Sequence, residues 1–367
     1  MGNEEFIFSV NTLVGCRFHI VKELEKRFHV EEKYQKIYKA SRFLSRVISA
    51  LSYFDDIRYQ ALSGTVKISK HPIYVLGHWR SGTTLLHNLL CSFKNSAYPT
   101  TYQTVFPNNL FFSKALIKRI MHWYLPKRRL VDQAIMHVDN PQEEDFALGN
   151  EAGFSFYYWF YFPRDREYIA REYMSLPSEN ERRNQAFTKS YLRFIKRCML
   201  NTGGDQYIAK NPPNMARIPF LMNLFPESRF VYIDRNPYEV IESTFRFFSG
   251  FLKTLQLQDI DDEALWVFVF KNYIHLHQKY LENKQRIPPD HLVEIKYEQL
   301  IADPAGIFRD LHQELFQDLE TDEVKLKKQL ELHQDHRIKD YDFESGYVDR
   351  VNSELGEIIE LQGYKRL

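Results

Sequence analysis

Five consecutive residues, Arg80-Ser81-Gly82-Thr83-Thr84, carry the densest chemical signal in the chain. They sit inside the stretch IYVLGHWRSGTTLLHNLL (73–90), where Ile73 to Leu76 reads as a buried strand, Gly77 to Gly82 as a tight loop and Thr83 to Leu90 as the start of a helix. A strand feeding such a loop leaves backbone N–H groups pointing into open space, and the helix dipole adds partial positive charge at the same point. The arrangement suits a phosphate. Gly77-x-x-x-x-Gly82 has the spacing of a Walker A loop, but Thr83 stands where that loop has its lysine. Arg80 instead brings a planar fork of donors toward the anion.

Further along, Gln206–Ala209 reads as a strand that ends at Lys210, in AKNPPNMARIPFLMNLFP, and ligands of open α/β sheets bind at such strand exits. Phe230–Ile233 is another buried strand, followed by Asp234-Arg235-Asn236-Pro237 and a helix carrying Ser243 and Arg246. Arg235 and Ser243 are eight residues apart, so a strand-exit arginine and a helical serine could share one anion. The segment DNPQEEDFAL (139–148) offers the carboxylates. Asn140 as a cap, Pro141 in the first turn and Glu143, Glu144 and Asp145 near the positive helix end explain it structurally. Equally, Glu143 or Glu144 could be a general base that takes a proton from a hydroxyl. His137 and His87 compete for that role, although a helix-buried His87 satisfied by a carbonyl is an ordinary alternative.

The elements that must position these groups alternate between strand and helix. Beyond the strands named, Leu292–Ile295 is a fourth, and helices are expected over Leu110–Tyr124, from about Pro213, and over Asp261–Asn283, Pro304–Phe316, Asp322–Gln334 and Tyr347–Gly363. Phe187, Tyr191, Phe194 and Cys198 form a further helical stripe, stopped at Gly203-Gly204. This order implies an α/β fold, a P-loop-like parallel sheet with helices on both faces. Residues 1–70 read as an N-terminal helical extension packed on the core, and 71–367 as the α/β domain. The stripe of Phe18, Val21, Leu24 and Phe28 and that of Tyr34, Ile37, Leu44, Ile48 and Leu51 suit packing on that core, with an interfacial membrane role as the alternative.

Composition narrows the function classes. In 367 residues, 29 phenylalanines and 23 tyrosines supply a large core, and the net charge of +1 gives no bulk argument for nucleic acid. Cys16, Cys91 and Cys198 have no CxxC pairing, so no metal is expected and reduced, buried thiols are. Neither Phe154–Phe162 nor Ala264–Phe270 is long enough to span a bilayer, and no charged-then-apolar leader opens the chain; a soluble cytoplasmic protein is the expectation. Met1-Gly2 fails as a myristoylation signal because residue 6 is Phe. The basic run Lys127-Arg128-Arg129 reads as solvated surface or as a guide for an anion. The greasy run 153–162 reads as core or as an aromatic wall for a flat apolar ligand.

Taken together, these motifs resemble the superfamily of sulfotransferases that use 3′-phosphoadenosine 5′-phosphosulfate (PAPS). RSGTT is similar to its 5′-phosphosulfate loop, which assigns Arg80, Ser81, Gly82, Thr83 and Thr84 to the donor. RNPYEVIES resembles its 3′-phosphate site, which assigns Arg235 and Ser243. AKNPP at Lys210 resembles the segment of protein-tyrosine sulfotransferases whose lysine stabilises the transferring sulfuryl group. YEQLIADP (297–304) resembles a segment common near the family's C-terminal end. DNPQEEDFAL and the helical N-terminal region look like a widespread, mostly bacterial branch. The resemblance covers roughly Pro72 to Pro304.

It implies in-line transfer from PAPS to an acceptor hydroxyl, with Arg80, Lys210 and the loop N–H groups where charge develops, and no metal. The chain departs from the tyrosine enzymes, whose catalytic glutamate follows the loop; here that region reads AYPTTYQ. It also lacks the Lys-Thr-His-Leu-Pro segment of the cytosolic small-molecule enzymes. Aromatic richness favours an apolar acceptor such as a sterol or lipid. Two other readings compete: a P-loop kinase or NTPase with FVYID (230–234) as its Walker B strand, and a non-enzymatic nucleotide-binding module.

Overall fold

The computed structural model describes residues 11–68, 71–126, 128, 135–176, 180–333 and 341–367. Met1, Gly2, Lys127, Arg129 and Gln334 lie outside the described residues. In chain order the elements begin with α1 (Phe18–Arg27), α2 (Gln35–Leu62), β1 (Ile73–Leu76), α3 (Thr83–Leu90) and β2 (Ser96–Ala97). Next come α4 (Thr101–Val105), α5 (Lys114–Tyr124), α6 (Glu144–Ala152), α7 (Arg166–Tyr173) and α8 (Glu181–Thr202). They are followed by β3 (Gln206–Lys210), α9 (Ile218–Leu224), β4 (Arg229–Asp234), α10 (Pro237–Leu255) and α11 (Asp262–Lys284). The chain ends with β5 (Leu292–Lys296), α12 (Tyr297–Ala302), α13 (Pro304–Leu315), α14 (Glu323–His333) and α15 (Ser345–Leu361). The architecture is α/β, a parallel sheet flanked by helices.

The chain divides into two compact units, one made of residues 1–69, 97–207 and 247–261, the other of 70–96, 208–246 and 262–367. The second unit contains most of the sheet, whose strand order is β2-β3-β1-β4-β5. β1 lies between β3 and β4 and pairs in parallel with both, Val75 opposite Lys210 and Val231; β4 pairs in parallel with β5. Ile73 to Leu76 are wholly buried, as a strand covered on both faces requires. Side chains such as Tyr74 and Phe230, with rings 5.5 Å apart, pack between neighbouring strands.

The first unit is helical. Phe187, Tyr191, Phe194 and Cys198 of α8 are buried on one face, and Gly203 ends the helix in the left-handed conformation at φ 78°. The aromatic run forms a one-turn 3₁₀ segment at Phe156–Phe160 whose rings are all buried, with Trp159 against Phe248 at 4.8 Å. Arg17, Arg193 and Arg197 converge on Asp56, and Arg193 and Arg197 also approach Glu151. Such shared pairing is what a buried guanidinium requires. The three cysteines are buried and unbridged.

Three expected helix starts move. The helix expected from about Pro213 begins at Ile218, after a 3₁₀ segment over Pro212–Ala216. The helix expected to be capped at Asn140 begins at Glu144, with Glu143 as its N-cap. Residues 138–140 form a turn instead, Asn140 N–H donating to the His137 carbonyl, and the segment is held by residues 99–102: Tyr102 N–H donates to the Val138 carbonyl, Thr101 N–H to that of Asn140, and Gln142 N–H to that of Pro99. The helix expected from Leu110 begins at Lys114, because Leu110 is drawn into a cluster with Tyr102, Ile117 and Val138.

Candidate functional site

The loop after β1 is shaped by two backbone positions that side chains tolerate poorly. Gly82, the N-cap of α3, has φ 94°, and a Cβ there would stand 2.5 Å from the Tyr297 ring. Arg80 occupies the left-handed region at φ 68° without being glycine, a strained conformation of the kind found at ligand clamps. The Ser81 hydroxyl donates to the His78 carbonyl at 2.8 Å and so ties the loop to itself. The first N–H groups of α3, from Thr83 onward, precede the start of the helical hydrogen-bond ladder, in which Leu86 N–H is the donor to Gly82 O. Thr83 is buried and Thr84 exposed.

Arg80, Arg235 and Ser243 come together. Arg80 Nε donates to Ser243 Oγ at 3.1 Å across 163 residues of sequence, and Arg235 Nη1 donates to the Arg80 carbonyl at 2.9 Å. Arg235 lies between the Glu239 carboxylate, which accepts from Nε at 3.1 Å, and the Tyr297 ring, 4.3 Å from the guanidinium carbon. Lys210, at the end of β3, is buried and directs Nζ to Thr84 Oγ1 at 3.5 Å. The ends of β1, β3 and β4 therefore bring the loop, Lys210, Arg235 and Ser243 into one constellation.

Glu239 was not singled out from sequence, and Tyr297 entered only as the first residue of the YEQLIADP segment, with no role given to its ring. The four-residue step from Arg235 to Glu239 is a signal for an ion pair. Nothing local signals that the Tyr297 ring backs both Gly82 and Arg235.

Asp234, the residue offered as a Walker B magnesium ligand, accepts from Lys296 Nζ at 2.9 Å and from the Arg235 N–H at 2.9 Å. Burial pushes its carboxyl up to about 6, against the pull of Lys296. Among the described residues no cluster of His, Cys, Asp or Glu could hold a metal ion.

His87 is buried, with Nε2 facing the Ile208 carbonyl at 3.4 Å; burial, with Lys210 nearby, lowers its pKa to about 3. His137 is exposed in the helical unit, beside Asp139. Glu143 and Glu144 also belong to that unit. Glu143 is partly exposed and accepts from the Tyr157 hydroxyl. Glu144 is wholly buried and accepts from the hydroxyls of Tyr191 at 3.0 Å and Tyr207 at 2.7 Å. Neighbouring Asp145, also buried, accepts from the Phe156 N–H at 2.8 Å.

A glycine-bounded loop after the first strand, without the Walker lysine, is thus joined to an arginine–serine pair at another strand exit of the parallel sheet. Residues 72–323 match the model of the Sulfotransferase family, and the chain belongs to that family. It is 30% identical over 357 residues to omega-hydroxy-beta-dihydromenaquinone-9 sulfotransferase Stf3, the match covering 96% of this chain and 91% of the relative. That relative occurs in Mycobacterium bovis and Mycobacterium tuberculosis. Among solved structures, the fold is shared with sulfotransferase STF9 of Mycobacterium avium, at TM-score 0.67 and 14% identity, covering 96% of this chain and 97% of that one. It is shared also with STF1 of M. tuberculosis H37Rv, at TM-score 0.65 and 16% identity, covering 92% and 90%. The chain is a sulfotransferase, as the RSGTT resemblance implied, and not the P-loop kinase that FVYID suggested.

Proposed function

We propose that this sulfotransferase moves the sulfuryl group of PAPS to the hydroxyl of an apolar acceptor, a lipid alcohol. The observation that carries the donor assignment is the convergence of Arg80, Arg235 and Ser243. On this reading the loop N–H groups and Arg80 hold one anion, and Arg235 and Ser243, each hydrogen-bonded to Arg80, hold the other. PAPS carries anions at both ends of its ribose, at the 5′-phosphosulfate and the 3′-phosphate, whereas ATP has none at the 3′ position. Gly82 at positive φ, with no room for a Cβ, lets the backbone approach the donor closely.

The donor supplies an activated sulfuryl group, and the chain supplies charge and a proton acceptor. Arg80, Lys210 and the N–H groups at the start of α3 stabilise the negative charge that develops on the leaving bridging oxygen. Lys210 is suited to this because its ammonium is buried, where each interaction is stronger than in water. Glu143, which keeps exposed surface, takes the proton of the acceptor hydroxyl. Glu144, beneath two tyrosine hydroxyls, is the second candidate, with a mainly structural role. No metal enters this scheme.

The acceptor assignment rests on the relative, whose name makes it a sulfotransferase of a hydroxylated menaquinone, and on the aromatic richness of this chain. A long isoprenoid or other lipid alcohol is accordingly favoured over a sterol. The test is transfer from radiolabelled PAPS to a panel of isoprenoid alcohols, sterols, phenols, glycans and tyrosine peptides. Transfer to lipid alcohols supports the reading, and transfer confined to glycans or peptides rejects it. Thermal stabilisation by 3′-phosphoadenosine 5′-phosphate but not by ATP with magnesium checks the donor separately.

A further inference from the structure

The outer faces of α2 and α5 take no part in the site described above. On α2, Phe43, Val47, Phe54 and Ile57 fall on one side of the helix, and all four are exposed. On α5 and the residue pair before it, Phe112, Leu116, Ile120 and Trp123 do the same, with Trp123 86% exposed. The two rows form one patch. The rings of Phe54 and Phe112 are 5.1 Å apart, and Phe111 N–H donates to Asp55 at 2.6 Å. Beneath them Ile48 of α2 and Ile117 and Met121 of α5 pack into the same buried cluster. Contiguous exposed apolar surface of this kind marks a place where something binds.

Charge says what binds. α2 carries Lys36, Lys39, Arg42, Arg46 and Arg58, and its only acids are Asp55, which is buried, and Asp56, which is taken up by three arginines. α5 carries Lys114, Lys118 and Arg119 and no acid. Glu25 pairs with Arg42, and Asp139 with Lys118, while Lys36, Lys39, Arg46, Arg58 and Arg119 are exposed. By helical spacing Lys36 and Lys39 continue the row of Phe43, and Arg58 flanks Ile57. This excess is local, since the whole chain carries a net charge of only +1. A second copy of the chain would set like charge against like, and lysine is depleted in the cores of protein interfaces. Tryptophan, phenylalanine and leucine beside exposed lysine and arginine are what the surface of an anionic bilayer takes.

We propose that this α2–α5 face docks the protein on an anionic membrane surface, its aromatic side chains at the boundary of headgroups and acyl chains and its cations against lipid phosphates. No described helix is long and apolar enough to cross a membrane, so the contact is peripheral. The inference stands on the exposed face alone and does not depend on which acceptor the enzyme uses.

The test is co-sedimentation of the full chain with vesicles of phosphatidylcholine alone or enriched in phosphatidylglycerol, read together with tryptophan fluorescence. Binding is expected to the phosphatidylglycerol vesicles, weakening with salt, with a blue shift that Trp123→Ser abolishes. Trp123→Ser with Phe112→Ser should lower partition by tenfold or more at unchanged melting temperature. Each of Lys36→Ser, Lys39→Ser and Arg119→Ser should lower it about fivefold, the equivalent of about 1 kcal/mol per cation. Absence of binding to either vesicle, or binding that neither set weakens, overturns the proposal. A dimer in sedimentation equilibrium that Trp123→Ser dissolves would overturn it too and give the face to a second copy.

Discussion

Arg80 Nε lies 3.1 Å from Ser243 Oγ, and the peptide carbonyl of the same arginine accepts from Arg235. The loop after β1 is thereby fastened to the exit of β4 and the start of α10. Anything that holds the loop in place also holds Arg235 and Ser243. Arg235→Ala should therefore weaken 3′-phosphoadenosine 5′-phosphate binding by roughly 10- to 100-fold, the value of a charge-assisted bidentate contact at about 1.5–3 kcal/mol. Isothermal titration calorimetry measures it. Unaltered affinity would place the 3′-phosphate elsewhere.

Lys210 is expected to act on turnover rather than on donor affinity. Lys210→Ala should lower kcat by about 10²–10³, as loss of one donor to developing charge does, with only a small change in Kd for the donor. A variant with normal kcat and a raised KM would reduce Lys210 to a binding residue.

The two glutamates should separate. Glu143→Gln is expected to depress kcat strongly while donor binding and melting temperature hold. In Glu144→Gln, two buried tyrosine hydroxyls lose a charged acceptor, so the main effect should be on stability, by about 1–3 kcal/mol in chemical denaturation. The reverse pattern would make Glu144 the base; two active variants would move the role to His137 or His87.

Gly82→Ala tests the loop geometry. Its Cβ would meet the Tyr297 ring at a backbone φ of 94°, so the ring or the loop must shift. The backbone strain alone costs about 1–3 kcal/mol, and calorimetry should show weakened donor binding as well.

Stability should fall on the acid side. Burial holds His78 and His87 down to about 3 and His277 to about 4, against 6.5 for the ordinary imidazole. His277 adds to the depression of His78, and Lys210 to that of His87. Depressed folded-state values mean that the stability from these neutral rings is complete above pH 6.5 and drains away as pH falls toward 4 and then 3, at roughly 2–4 kcal/mol per ring. Asp234 runs the other way: its carboxyl is raised from 3.8 to about 6, so its burial costs most above pH 6 and that cost is relieved as pH falls toward 3.8. Three rings outweigh one carboxyl. Melting temperature should decline below pH 6.5, and less steeply in His78→Gln. A flat profile between pH 6.5 and 4 would contradict the burial of these rings.

The sequence by itself determined the glycine-bounded loop, the exits of three strands and the order of helix and strand. Its signals there are local: a four-residue apolar run, glycines where φ must be positive, and an arginine or lysine directly after a strand. Ile73–Leu76 and the α3 start at Thr83 need nothing beyond their own neighbours. Tertiary structure decided what depends on distant backbone. The PQEED helix begins at Glu144 and not at Asn140, because residues 99–102 bind the backbone of 138–142 and outbid a local cap. The same long-range pairing leaves Glu143 at the helix threshold, partly exposed, and sends Glu144 inward to Tyr191 and Tyr207. Likewise, only folding sets the Tyr297 ring behind both Gly82 and Arg235, since ring position is fixed by packing between segments far apart in the chain and leaves no periodic trace in any of them.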